Sequence, residues 1–167
     1  MSIAEALLAE YEQEMATTRR LLERVPSDKG TWKPHPKSFA LGHLAQLVSW
    51  MSGWVGQALS HTALDLSGGP RYSFEPTEKL LETFDRGVAE TRAALKTAKD
   101  ADFGVSWSLK NGDRVLFSAP RSVIVRQHIS HLSHHRGQLT VYLRLLDVPI
   151  PQIYGPTADD RGFLAAQ

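Results

Sequence analysis

Apolar residues recur at helical spacing along four long stretches of the chain. They run from Ser2 to about Val25, from about Phe39 to Leu59, from Pro76 to about Lys99 and from about Ala119 to Leu146. Because residues three and four apart share one side of a helix, each stretch predicts an amphipathic helix with one buried face. We therefore expect an all-α fold, specifically an antiparallel four-helix bundle.

The segments outside these helices carry weaker signals. Val105 to Leu109 and Val115 to Ser118 flank Asn111-Gly112, a pair that favours a tight turn, so a short β-hairpin is expected between helices three and four. The proline-rich tail after Leu146 contains enough apolar residues to fold back over the bundle or enter a subunit interface. The length of 167 residues suits one domain over residues 1–167.

Four of the seven histidines lie within eight residues of the fourth predicted helix. At about 100° per residue, His128, His131 and His135 fall within the arc of its apolar residues, and His134 falls at the flank. A lone inward histidine is usually a core residue with a satisfied nitrogen. Three inward histidines on one helix face are harder to explain in this way, because each buried polar group without a hydrogen-bond partner costs about 1 to 3 kcal/mol.

A shared metal ion would remove that cost by taking one nitrogen from each ring. Residues four apart stand one above the other on a helix, so His131 and His135 could hold one ion. His128 and His131 form a second usable pair, whereas His128 and His135 are too far apart. His43 lies at the edge of the buried face of the second helix and is a candidate third ligand.

The amino-acid composition limits which partners and which metal ligands are expected. Lys and Arg (19) nearly balance Asp and Glu (18), so the net charge of +1 gives no reason to expect nucleic acid or an anionic membrane as partner. Cysteine is absent, which leaves histidine and carboxylate as metal ligands. The N-terminus lacks the basic start of a signal peptide and no apolar run has membrane-spanning length, so we expect a cytoplasmic protein.

Three segments together resemble the DinB/YfiT-like superfamily: WKPHPKSFALGHL around His43, HLSHHRGQLTVYLR from His131 to Arg144, and VPIPQIYGP in the tail. The resemblance spans essentially the whole chain, and its most specific part is HxxxHRGQ at His131 to Gln138. It implies a four-helix bundle with a divalent metal held by His43, His131 and His135. It also implies a homodimer and a low-molecular-weight thiol as cosubstrate.

Three neutral histidines would leave Zn²⁺ or Ni²⁺ with open positions, as in catalytic sites. A bound water would be acidified toward a pKa of about 7, giving a hydrolase. A bound thiol would be deprotonated, giving a transferase. The resemblance favours a thiol transferase that acts on a small electrophilic substrate. The alternatives are a non-catalytic metal-binding stress-response protein and a metal-free bundle with a buried histidine network.

Further residues near the cluster are candidates for the substrate pocket, namely His128, Gln138, Tyr142 and Trp50. No Asp or Glu occurs between Ser118 and Leu146, so the sequence identifies no general base. For Arg136 we expect an ion pair with a neighbouring helix, and for Gly137 a close helix contact.

Overall fold

The computed structural model describes residues 1–69 and 71–161. Within that part of the chain there are five α-helices and three β-strands. The helices are α1 (Ile3–Leu22), α2 (Leu41–Met51), α3 (Trp54–Ser60), α4 (Thr77–Thr97) and α5 (Arg121–Leu145). The strands are β1 (Ala63–Asp65), β2 (Ser106–Asn111) and β3 (Arg114–Pro120). The prediction of a mainly helical fold is confirmed, but the described residues also form a β-sheet, and their α-helices number five instead of four.

The helices share one apolar core. Helix α1 packs against α4 and α5, and α2 and α3 also pack against both of them. Side chains that are almost fully buried come from α1, α2, α4 and α5, for example Tyr11, Leu44, Phe84 and Leu132. The long helices α4 and α5 therefore contact all the other helices. Their packing fixes the position of α2 relative to α5, the two helices that carry the candidate metal ligands.

The predicted second helix is interrupted at Ser52 and Gly53, where the sequence pattern showed no break. The Ser52 carbonyl accepts hydrogen bonds from the Tyr11 hydroxyl at 2.6 Å and the Thr91 hydroxyl at 2.9 Å. In a continuous helix the Gly56 amide would donate to that carbonyl. It donates instead to Thr91 Oγ1 at 3.2 Å. The Thr91 hydroxyl of α4 thus takes the place of one helical hydrogen bond, and α3 begins directly after the break.

A pair of glycines allows α4 to approach this break closely. A Cβ atom on Gly87 would lie 2.8 Å from the Gly53 amide nitrogen and also collide with Ser52 Oγ. The single proton of the Ser52 hydroxyl is shared between the Ser49 and Phe84 carbonyls, whose oxygens lie 2.8 and 3.0 Å from Ser52 Oγ. The break is therefore a buried and hydrogen-bonded part of the core.

The predicted hairpin is part of a mixed three-stranded sheet in the order β1-β2-β3. Strands β2 and β3 are antiparallel, and Gly112 between them has a φ of 58°. Strand β1 pairs in parallel with β2, with Ala63 opposite Ser108. The two-strand prediction was wrong because β1 has three residues, too few to show an alternating pattern.

The tail folds back onto the helices, as expected. Ile150 is buried, Arg144 pairs with Asp159 at 2.5 Å, and Arg20 donates to the Gln152 carbonyl at 3.1 Å. The single domain over residues 1–167 stays a prediction, and its last six residues lie outside the described ones. None of the described helices combines the length and apolarity needed to cross a membrane.

Candidate functional site

His131 and His135 lie side by side on successive turns of α5. Their Nε2 atoms are 2.9 Å apart, and Nδ1 of His135 lies 2.7 Å from Oε1 of Gln138. An amide oxygen only accepts hydrogen bonds, so Nδ1 of His135 carries the proton. The Nε2 atom of His135 therefore presents its lone pair toward His131.

The surroundings of both imidazoles favour the neutral form. Burial lowers the pKa of His135, and the bond to Gln138 opposes that shift only in part. Burial and the neighbouring histidines likewise lower the pKa of His131. Because neutral imidazole is the form that binds metals, the lowered pKa values favour metal binding at pH 7. In the metal-free pair the Nε2 atom of His131 donates to that of His135, and an ion bound by both atoms would replace this proton.

His43 lies on α2 with its ring between two aromatic rings. The Phe39 ring stacks on it at a centroid distance of 4.2 Å, and the Tyr72 ring lies on it at 3.4 Å. Phe39 also adjoins His135, at 6.4 Å between ring centroids. Among the described residues no three His, Cys, Asp or Glu side chains lie close enough together to hold a metal ion.

The predicted metal ligands therefore fit a divalent ion to different degrees. His131 and His135 meet the chemical requirements, since they are neutral, converge through Nε2, and have the His135 tautomer set by Gln138. The hydrogen bond from His135 Nδ1 to Gln138 is of the kind that orients metal-binding histidines. His43 shares the neighbour Phe39 with His135, but Phe39 and Tyr72 lie against its ring, so the three-histidine set stays a prediction.

The loop before α4 holds Tyr72 in place. The buried side chain of Gln46 accepts a hydrogen bond from the Ser73 amide at 3.0 Å and donates to the Ser73 hydroxyl at 2.9 Å. Next in the chain, Phe74 has a φ of 54° and packs so closely on Gly42 that a Cβ there would lie 2.7 Å from its ring. These contacts set the path of the loop that carries Tyr72.

Sequence reasoning missed Phe39 and Tyr72 as neighbours of the histidines. Phe39 was treated as the start of a helix, although α2 begins at Leu41. Tyr72 belongs to a segment rich in Gly, Pro and Ser, for which the sequence predicts no helix or strand. An aromatic residue within such a segment was the available signal, since it has a large apolar surface to bury.

The four candidate pocket residues lie in different places. Gln138 contacts His135, as described. His128 lies between Trp54 and Trp107, at centroid distances of 5.5 and 6.0 Å, beside a small cavity of about 40 Å³. Burial, with the neighbouring His131, lowers the pKa of His128 to about 4. Tyr142 donates to the Phe39 carbonyl at 3.3 Å and therefore supports the turn before α2.

Trp50, the fourth candidate, lines a larger cavity of about 420 Å³ between α2, α3, α4 and the segment around β1. Trp54 and Tyr72 also line it. The Tyr72 ring contacts His43, and the Trp54 ring centroid is 5.7 Å from that of His131. The cavity is thus separated from the histidines by aromatic rings.

Arg136 forms the expected ion pair with a neighbouring helix. Its Nη1 atom is 2.7 Å from Glu14 Oε2 on α1 and donates to the Thr18 hydroxyl at 3.1 Å. Its Nη2 atom donates to the Tyr154 hydroxyl of the tail at 2.6 Å. The expectation for Gly137 was wrong, because it is exposed and a Cβ there would touch nothing within 4 Å.

Comparisons with known proteins agree with this fold. The DinB family model matches residues 1–161. A DinB-like protein from Bacillus cereus is structurally similar with a TM-score of 0.69 and 20% identity, covering 92% of this chain and 98% of its own. The DinB-like protein YjoA from Bacillus subtilis gives a TM-score of 0.64 and 14% identity, covering 94% and 99%. No curated protein matches.

At these identities the two structures support the fold, while the family match extends over nearly the whole chain and includes the HxxxHRGQ segment. The resemblance noted in the sequence is thereby confirmed. The chain belongs to the DinB family.

Proposed function

We propose that this protein binds one divalent metal ion, Zn²⁺ or Ni²⁺, through His43, His131 and His135, and catalyses a reaction of a small electrophilic substrate. The preferred reaction is transfer to a low-molecular-weight thiol, with hydrolysis as the other form. The observation that carries the proposal is the 2.9 Å approach of the His131 and His135 Nε2 atoms, both in neutral rings.

The roles of the side chains follow from their contacts. His131 and His135 would hold the ion, and Gln138 would keep the His135 lone pair directed toward it through the bond to Nδ1. When bound, the ion would supply Lewis acidity that lowers the pKa of a coordinated thiol or water. By the family resemblance the nucleophile would be an external thiol, and the absence of cysteine from the chain is compatible with that role.

Phe39 and Tyr72 lie against the faces of the His43 ring, whereas an imidazole nitrogen binds a metal in the plane of the ring. His43 would therefore have to shift toward the pair to complete the site. Both covering residues lie on loops next to α2 and α4, and both are partly exposed, at 44% and 37%. Displacing Tyr72 would also strain the contacts that hold its loop, namely the Gln46–Ser73 hydrogen bonds and the packing of Phe74 on Gly42. This covering also supports the second candidate function, a metal-binding protein without catalysis.

The first experiment measures metal binding. Protein stripped with EDTA is titrated with Zn²⁺ and with Ni²⁺, and bound metal is counted after desalting. The variants are His43→Ala, His131→Ala and His135→Ala, with His134→Ala as control because His134 is exposed. We expect about one equivalent in wild type and in the control, and loss in the other three. Absence of binding in wild type, or equal loss in the control, would refute the site.

A second experiment separates the enzyme from the non-catalytic protein. The metal-loaded and metal-free forms are assayed for conjugation of 1-chloro-2,4-dinitrobenzene with a panel of small thiols and for hydrolysis of activated esters. A rate that requires both metal and His131 supports catalysis. Stoichiometric metal binding with no metal-dependent rate toward any of them favours the non-catalytic function.

A homodimer in the cytoplasm is part of the same proposal; the dimer rests on the family resemblance and the location on the sequence features described above. Light scattering on the purified full chain tests the dimer, with a mass of about twice 18.6 kDa expected. Fractionation of cells that produce the protein tests its location.

A further inference from the structure

The 420 Å³ cavity has the size and the lining of a ligand site. Small-molecule sites typically occupy about 300 to 1,000 Å³ and combine apolar and aromatic walls with a few polar groups. Trp50, Trp54 and Tyr72 supply flat aromatic surface here, and Leu64 and Leu66 supply aliphatic surface. The two leucines are 36% and 49% exposed. A bound molecule would cover apolar surface that is now in contact with water.

The cavity exists because small residues line it where α3 meets α4. Gly53 and Gly87 both line it, and their close backbone contact leaves no side chain at that point of the wall. Trp50 and Trp54 project from either side of the helix break. The same glycine pair that permits tight helix packing therefore leaves room for a recess, which Trp50 and Trp54 also line.

Arg86 is the cation that lines this recess, and it has no partner within residues 1–69 and 71–161 by either hydrogen bond or ion pair. Arg92, further along α4, shows the contrast, since it donates two hydrogen bonds to Glu12. Asp65 also lines the cavity, but its carboxylate accepts from the Ser67 and Gly112 amides. The guanidinium is thus available, and its planar fork matches a carboxylate.

We propose that this cavity binds a small planar aromatic carboxylate, with its ring among Trp50, Trp54 and Tyr72 and its carboxylate on Arg86. Glu90, one turn after Arg86, also lines the cavity and would favour a cationic ligand instead. The test compares the two charges directly. Binding uses none of the histidines proposed as metal ligands, so the inference stands apart from the proposed function.

The experiment titrates EDTA-treated, full-length protein with 2-naphthoate, followed by tryptophan fluorescence and calorimetry. The comparison ligands have the same ring system, namely neutral 2-naphthol and cationic 2-naphthylmethylammonium. The variants are Arg86→Gln and Glu90→Gln. The matched control is Lys96→Gln, which removes one positive charge from an exposed position of α4 outside the cavity.

We expect saturable one-to-one binding of 2-naphthoate, weakened about 10-fold or more in Arg86→Gln and unchanged in Lys96→Gln, since a charge-assisted bond accounts for such a factor. Trp50→Phe should reduce the fluorescence change. Binding should persist in His131→Ala, whether or not that variant binds metal. No binding at millimolar 2-naphthoate, equal affinity for 2-naphthol, or preference for the ammonium compound with loss in Glu90→Gln would overturn the proposal.

Discussion

Nη1 of Arg136 lies 2.7 Å from Oε2 of Glu14 in the interior between α5 and α1, where the Arg136 side chain is only 1% exposed. The guanidinium also donates to Thr18 and Tyr154, and the Tyr154 hydroxyl donates to Glu14 at 3.1 Å. The arginine that follows the second histidine of the HxxxHRGQ segment thus joins α5, α1 and the tail.

Removing one partner of this pair should destabilise the protein strongly. We expect Glu14→Ala to lower the free energy of unfolding by about 3 kcal/mol, because it leaves a buried charge uncompensated. Urea unfolding measures the change. The matched control is Glu10→Ala, which breaks an exposed pair with Arg126 between the same two helices. Its effect should stay below about 1 kcal/mol; equal effects in the two variants would contradict the prediction.

Two glycines in helices should respond to alanine in opposite directions. Gly137→Ala should raise the free energy of unfolding by up to about 1 kcal/mol, because the position is exposed and open and alanine favours helix. Gly87→Ala should lower it by about 2 kcal/mol, because its Cβ would meet the Gly53 backbone and Ser52 Oγ. Thermal unfolding of the two variants provides the comparison. A stabilised Gly87→Ala would mean that α3 and α4 can separate at little cost.

The stability of the metal-free protein should depend on the protonation of His128. Burial lowers its pKa from 6.5 to about 4 in the folded state, so between these pH values the unfolded chain binds a proton that the folded chain does not. The part of the free energy of unfolding that depends on neutral His128 is fully present above pH 6.5 and is lost as the pH falls toward 4. The loss amounts to about 3 kcal/mol.

The variant His128→Asn should therefore lose about 3 kcal/mol less than wild type between pH 7 and pH 4. Urea unfolding in EDTA at several pH values measures the difference. His61→Asn serves as control, since His61 is exposed, and should keep the wild-type dependence. Parallel curves for wild type and His128→Asn would show that His128 is not the titrating group.

Gln138 should affect metal affinity without being a ligand. Gln138→Leu removes the acceptor for Nδ1 of His135, so the ring is freed to change tautomer and orientation. We expect the affinity for Zn²⁺ to fall about 10- to 100-fold, as for other residues that orient metal ligands. Gln127→Leu, an exposed position on the same helix, is the matched control. Competition with a chromogenic chelator measures both affinities; an unchanged value in Gln138→Leu would argue against the tautomer role.

Several features of the fold were predictable because they depend on local periodicity. The capping box at Ser2 and Glu5 begins α1, and the apolar spacing predicted α4 and α5 to within two residues at each end. The break in the second helix was not predictable. It depends on Thr91, 39 residues away from Ser52, which supplies the replacement hydrogen bonds.

For the site, the sequence alone determined that His131 and His135 stand on one face of a helix, four residues apart, because helical geometry brings such residues together. It also determined the family, through motifs spread over the chain. The tertiary structure decided that Phe39 and Tyr72 cover His43, that Glu14 neutralises Arg136, and that Trp50 faces a cavity. These contacts join segments far apart in the sequence, and no local pattern of apolar and polar residues encodes which loop closes over which helix.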